Sequence, residues 1–148
     1  MKLHKYSVLF ILLVFVIGLL IGVVIAPLFS QWRISNIGTV RAIGVEVYRD
    51  ANLTETLDHI NWGIIEPGEN KSFTMWIKNT GNDAQKIVMW TEAWNPSNAS
   101  NWITLTWNYD GSWIPVNGSI PVVFILSVDP LISGIISFSF EIWIKGVH

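Results

Sequence analysis

Between Tyr6 and Phe29 the chain runs for 24 residues without a charged side chain. Within Val8–Ile25 every residue except Gly18 and Gly22 is Val, Leu, Ile or Phe. At about 1.5 Å rise per residue a helix of this length spans roughly 36 Å, enough to cross a hydrocarbon layer of about 30 Å with some tilt. The 16 Val, Leu, Ile and Phe residues together favour insertion by about 5 to 10 kcal/mol. The competing reading is a cleaved signal peptide. Its apolar region would be shorter, and although Val24-Ile25-Ala26 resembles a cleavage pattern, Pro27 would follow the cut and hinder it. The sequence therefore predicts an uncleaved signal anchor over residues 6–29.

Direction is set by the flanks. Lys2, Lys5 and the amino terminus precede the run, and only Arg33 lies close behind it. The positive-inside rule places residues 1–5 in the cytoplasm and sends the rest across the membrane. Residues 30–39 read as a juxtamembrane linker and 40–148 as one extracytoplasmic domain of ordinary size. Gly18 and Gly22 form a GxxxG pattern, a candidate helix-dimer face.

Composition excludes several classes for the exported part. The chain is 13% aromatic and only 14% charged, unlike a disordered polymer. It has no cysteine, so it has no disulfide framework, thiolate metal site or cysteine nucleophile. A formal net charge of −2 offers no basic surface to nucleic acid.

Beyond the anchor there is no long helical periodicity. Short alternating runs separated by Pro, Gly, Asn and Asp predict an all-β chain. The alternating apolar sets are Ile43/Val45/Val47, Phe73/Met75/Ile77, Ile103/Leu105/Trp107/Tyr109, Ile120/Val122/Phe124/Leu126/Val128 and Ile136/Phe138/Phe140/Ile142/Ile144. Two further strands are expected from a broken run over Leu57–Ile65 and from Ile87–Trp94. Glu66-Pro67-Gly68-Glu69 suits a type II turn, and Asn79-Thr80-Gly81-Asn82 and Asp110-Gly111 mark other reversals. About seven strands at this spacing predict an immunoglobulin-like antiparallel β-sandwich behind one N-terminal transmembrane helix. Without disulfides, apolar burial has to stabilise it.

The stretch Ile60–Glu69, succeeded by Trp76-Ile77-Lys78-Asn79-Thr80-Gly81-Asn82, resembles exported prokaryotic Ig-like modules with a PGE…NTGN core. Trp94-Asn95-Pro96, Leu105-Thr106-Trp107 and Phe138–Ile142 extend the likeness to small archaeal membrane-anchored proteins with one such domain. It covers roughly residues 40–145 and is more specific for fold than for function. The resemblance implies a non-catalytic spacer or adhesive unit.

The residues point away from enzymatic chemistry. Of His4, His59 and His148, only His59 lies inside the exported domain, beside Asp58, and no GxSxG elbow accompanies it. HExxH and phosphate-loop patterns are absent. Asp50, Asn52, Glu55 and Asp58 crowd one stretch, but without calcium-loop spacing. Glu66 and Glu69 flank an exposed turn rather than a cleft. No catalytic, cofactor-binding or metal-ligating residue is expected, and no cofactor. Four sequons, at Asn52, Asn70, Asn98 and Asn117, are candidate N-glycosylation sites beside predicted turns.

Nine tryptophans remain to be placed. Trp62 and Trp107 fall on core-facing patterns, whereas Trp76 and Trp143 alternate outward and form the candidate interaction surface. Trp90 and Trp94 fit either side. The expected partners are the lipid membrane and cell-surface proteins or glycans. The expected role is a non-enzymatic, membrane-anchored cell-surface protein presenting an interaction module. The alternative is a structural filament subunit, with residues 31–48 completing a neighbour's sheet by strand donation.

Overall fold

The computed structural model describes residues 34–148, with side chains from Asn36 onward. The anchor expected over 6–29, the Gly18/Gly22 pair and the cytoplasmic end lie outside the described residues. Among the described residues no helix is long and apolar enough to cross a membrane.

The described chain is all-β. Its strands are β1 (Ile34–Ile43), β2 (Val45–Tyr48), β3 (His59–Ile65), β4 (Asn70–Asn79), β5 (Lys86–Asn95), β6 (Ile103–Trp107), β7 (Ser119–Val128) and β8 (Ser137–Val147). They form two four-stranded sheets of order β3-β1-β8-β5 and β2-β4-β7-β6. The inner faces of both sheets meet in one apolar core, giving a sandwich-like architecture. Phe140, Ile142, Ile144, Ile60 and Ile65 come from the first sheet. Met75, Ile77, Phe124 and Leu126 come from the second. Each is fully buried, which stabilises the fold by about 1.5–3 kcal/mol per side chain.

Several expectations change. There are eight strands rather than about seven, and the sandwich is not purely antiparallel. β1 pairs with β8 in parallel, Ser35 opposite Ser137 and Ile43 opposite Lys145. Both strands run from the same end of the sandwich, so no hairpin can join them. β1 also starts at Ile34, inside the segment read as a linker. Its early inward positions are Asn36 and Gly38, so apolar alternation could not reveal it.

The expected strand over residues 43–47 is two strands. Gly44 has φ +72°, and there the chain crosses from the first sheet to the second. Val45 and Val47 are buried, but Ile43 is exposed. The reversal changes which parity faces inward. Residues 34–48 are therefore paired inside their own domain, β1 between β3 and β8 and β2 against β4. A strand held on both sides is not a free donor.

The break in the Leu57–Ile65 pattern is a β-bulge. Asn36 opposes Gly63 and Ile37 opposes Asn61, leaving Trp62 as the extra residue. Ile60 and Trp62 point inward, and beyond the bulge Ile65 does, while Ile64 is exposed. The turn at Glu66–Glu69 forms as expected, with Gly68 at φ +80° and the Glu69 amide donating to the Glu66 carbonyl at 3.0 Å. At the start of β8, Ile136 does not join the inward set. Gly134, at φ +74°, turns the chain so that Ile135 is buried and Ile136 is 68% exposed.

Candidate functional site

The expected pair of outward tryptophans does not make one surface. Trp76 lies on β4 in the second sheet, between Tyr48 and Pro121. Trp143 lies on β8 in the first sheet, on the other outer face of the sandwich. The neighbour of Trp143 is Trp90, directly opposite it on β5. The two indoles stack with centroids 5.8 Å apart and planes 11° apart.

A polar frame holds this pair. Glu92 and Glu141 face each other across the same two strands, two residues along the ladder and so on the same outer face. Trp90 Nε1 donates to Glu92 Oε1 at 2.7 Å, and Trp143 Nε1 donates to Glu141 Oε2 at 3.1 Å. Two carboxylates opposed in this way repel. Arg41, on β1 beside Trp143, offsets that by donating to Glu141 Oε1 at 3.0 Å. Each indole N–H is therefore satisfied, and each ring is steered to one orientation. Both tryptophans are half-buried, and around them Ile37, Ile43 and Val88 are exposed. The outer face of the first sheet thus combines aromatic surface, apolar rim, fixed carboxylate acceptors and one guanidinium. That combination suits a polar ligand with apolar faces, such as a sugar ring, or a protein surface carrying basic groups.

Alternation lets Trp90 fit either side and leaves Arg41, Glu92 and Glu141 unmarked. A signal existed: Trp90-Thr91-Glu92 and Glu141-Ile142-Trp143 are mirror images. Antiparallel pairing of mirrored triplets puts like residues opposite each other. Trp94, by contrast, turns inward. The register shifts between Glu92 and Asn95, with Ala93 at φ +51°, and Trp94 stacks on Phe140 at 4.2 Å and 6°. Trp62 is buried and Trp107 packs against the core, as their patterns predict.

The acid-rich stretch between β2 and β3 resolves into separate local contacts. Asp50 accepts from the Glu55 amide at 2.8 Å, the Thr54 amide at 3.0 Å and the Thr54 hydroxyl at 2.8 Å. These bonds, the Glu55 amide first, hold its carboxyl below the ordinary range. Glu55 pairs with Arg49 at 3.0 Å, and the Arg49 guanidinium lies over the Phe73 ring. Asp58 is 2.6 Å from His59 Nδ1, and that hydrogen bond lowers the Asp58 pKa. Both side chains of this last pair are exposed at the strand edge. Among the described residues no three His, Asp or Glu side chains are placed to share a metal ion.

The four sequon asparagines are all exposed. Asn52 is in the β2–β3 loop and Asn70 opens β4. Asn98 lies in the 3-10 turn Ser97–Asn101, and Asn117 precedes β7 at φ +59°. No protein-family model matches the chain, and a search of curated proteins returns no significant match.

Proposed function

We propose that this chain is a single-pass, membrane-anchored cell-surface protein. In this reading residues 6–29 are an uncleaved signal anchor and the N-terminus is cytoplasmic. The exported sandwich, of immunoglobulin-like kinship to small archaeal anchored proteins, is a non-enzymatic interaction module. The supporting observation is the Trp90–Trp143 stack, fixed by Glu92, Glu141 and Arg41 on an open outer face. Ordering two large aromatics at a surface exposes apolar area that contact with a partner would remove from water. The partner class is a surface glycan or a surface protein. The exposed sequons, if modified, add glycans around the module without covering a buried element.

The test is binding of the full-length protein, held in lipid nanodiscs, to arrayed glycans and surface proteins. Trp90→Ala and Trp143→Ala are expected to weaken binding at least tenfold, about 1.4 kcal/mol, while Trp76→Ala leaves it nearly unchanged. Equal losses for all three, or no loss for the stacked pair, overturn the reading.

A further inference from the structure

We propose that the outer face of the first sheet binds the same face of a second copy of this chain, with the strands of the two copies antiparallel. The proposal rests on reading that face as an interaction surface, and it names the partner. It is carried by the order of charges along the strands. Register sets Lys145 beside Val88 on one outward row, Trp143 beside Trp90 on the next and Glu141 beside Glu92 on the third. β1 adds Ile43, Arg41 and Thr39 to the same rows in turn. Rows on one face of a sheet lie about 7 Å apart. Read along the strands, the face is therefore cationic, then aromatic, then anionic. Lys86, which precedes Val88 on the same face, extends the basic end.

Charge identifies the occupant. Glu92 and Glu141 are opposed, and the cation bonded between them and β1, Arg41, serves Glu141 alone. Among the described residues neither Glu92 nor Lys145 enters an ion pair. The row of Trp143 stands between them. Turning a second copy over, about a two-fold axis lying along the aromatic row, reverses the order. Lys145 of each copy then meets the Glu92–Glu141 pair of the other, and the indole pairs meet at the centre. That self-complementarity is what an isologous dimer requires. A parallel arrangement sets lysine on lysine and carboxylates on carboxylates, so charge selects the antiparallel one. The bond from Arg41 to Glu141 draws its guanidinium off the axis. Val88 and Ile43, both exposed on the lysine row, join the indoles in supplying apolar area to remove from water. An aromatic centre with charges at its margin is the anatomy of a protein interface. A neutral sugar on the same face leaves Glu92 and Lys145 without counter-charges.

Charge reversal with complementation tests this. Sedimentation equilibrium of the full-length protein in density-matched detergent reads association for the wild type, Glu92→Lys, Lys145→Glu and an equimolar mixture of the two variants. The wild type is expected to dimerise. Each reversal alone is expected to weaken the dimer by about tenfold or more, and the mixture to recover it to within about threefold of the wild type. Misfolded variants do not rescue each other, so recovery reports the facing of opposite charges. A mixture no tighter than the single variants overturns the proposal. Association that survives both reversals also overturns it, and assigns pairing to another surface such as the Gly18/Gly22 face. A wild type that stays monomeric yet binds an arrayed partner through Trp90 and Trp143 overturns the dimer and leaves the interaction-module reading standing. A monomer that binds nothing removes both.

Discussion

At the scale of single residues, the clearest electrostatic device is Asp50. Its carboxylate organises the loop between β2 and β3 by accepting from Thr54 and Glu55. Those bonds lower its folded pKa below the ordinary value of about 3.9. A lowered folded pKa means the contribution is complete above the unfolded value and is lost as pH falls through the folded one. Protection of the Thr54 and Glu55 amides, relative to their intrinsic exchange rates, is therefore expected to fall below about pH 4, ahead of the core. Asp50→Ala is expected to show the reduced protection at every pH. Unchanged exchange in Asp50→Ala would show that the loop does not depend on this carboxylate. Gly44 is a second single-residue device. Its φ of +72° is costly for a residue with a Cβ. Gly44→Ala is expected to lower stability by about 1–2 kcal/mol, read as a shift of the denaturant midpoint at constant slope.

At the scale of elements, four positive-φ sites decide which way side chains face. Gly44, Gly63, Ala93 and Gly134 each fall where alternation of the neighbouring strand changes phase. Within uninterrupted strands the sequence was readable. The inward sets of β4, β6 and β7 are the ones their alternation predicts, and so is that of β8 from Phe138 onward. Across the interruptions it was not. Alternation puts Ile43 and Ile136 in inward sets, and both are exposed. Trp94 fits either side by alternation, and the register shift at Ala93 turns it onto Phe140. A one-residue insertion flips every later side chain, and a period-two pattern carries no mark of where it occurs. The start of β8 gives a sharp test. Ile135→Ala is expected to cost about 2–5 kcal/mol through cavity formation. Ile136→Ala is expected to stay within about 0.5 kcal/mol. Chemical denaturation of the two variants in the same detergent compares them directly, and reversed values would show that the strand begins one residue earlier.

At the scale of the whole molecule, the described domain has one core, not one per sheet. Trp62 and Phe73 meet edge to face from β3 and β4, one in each sheet, with ring centroids 6.3 Å apart. Because the same buried residues serve both sheets, neither sheet keeps its apolar face covered alone. Unfolding is expected to be a single cooperative transition, with tryptophan fluorescence and far-ultraviolet dichroism changing at the same denaturant concentration. Separate transitions would show two independently stable sheets. The amino-acid sequence alone determined the apolar leading run, the all-β character of the described residues, the main turns and the inward faces of unbroken strands. Those depend on local composition and on a period of two. Tertiary structure alone decided the parallel β1–β8 pair, the crossing at Gly44 and the partner of Trp143. Those depend on pairing between residues far apart in the chain and on the phase at each bulge, and neither quantity is contained in a local pattern.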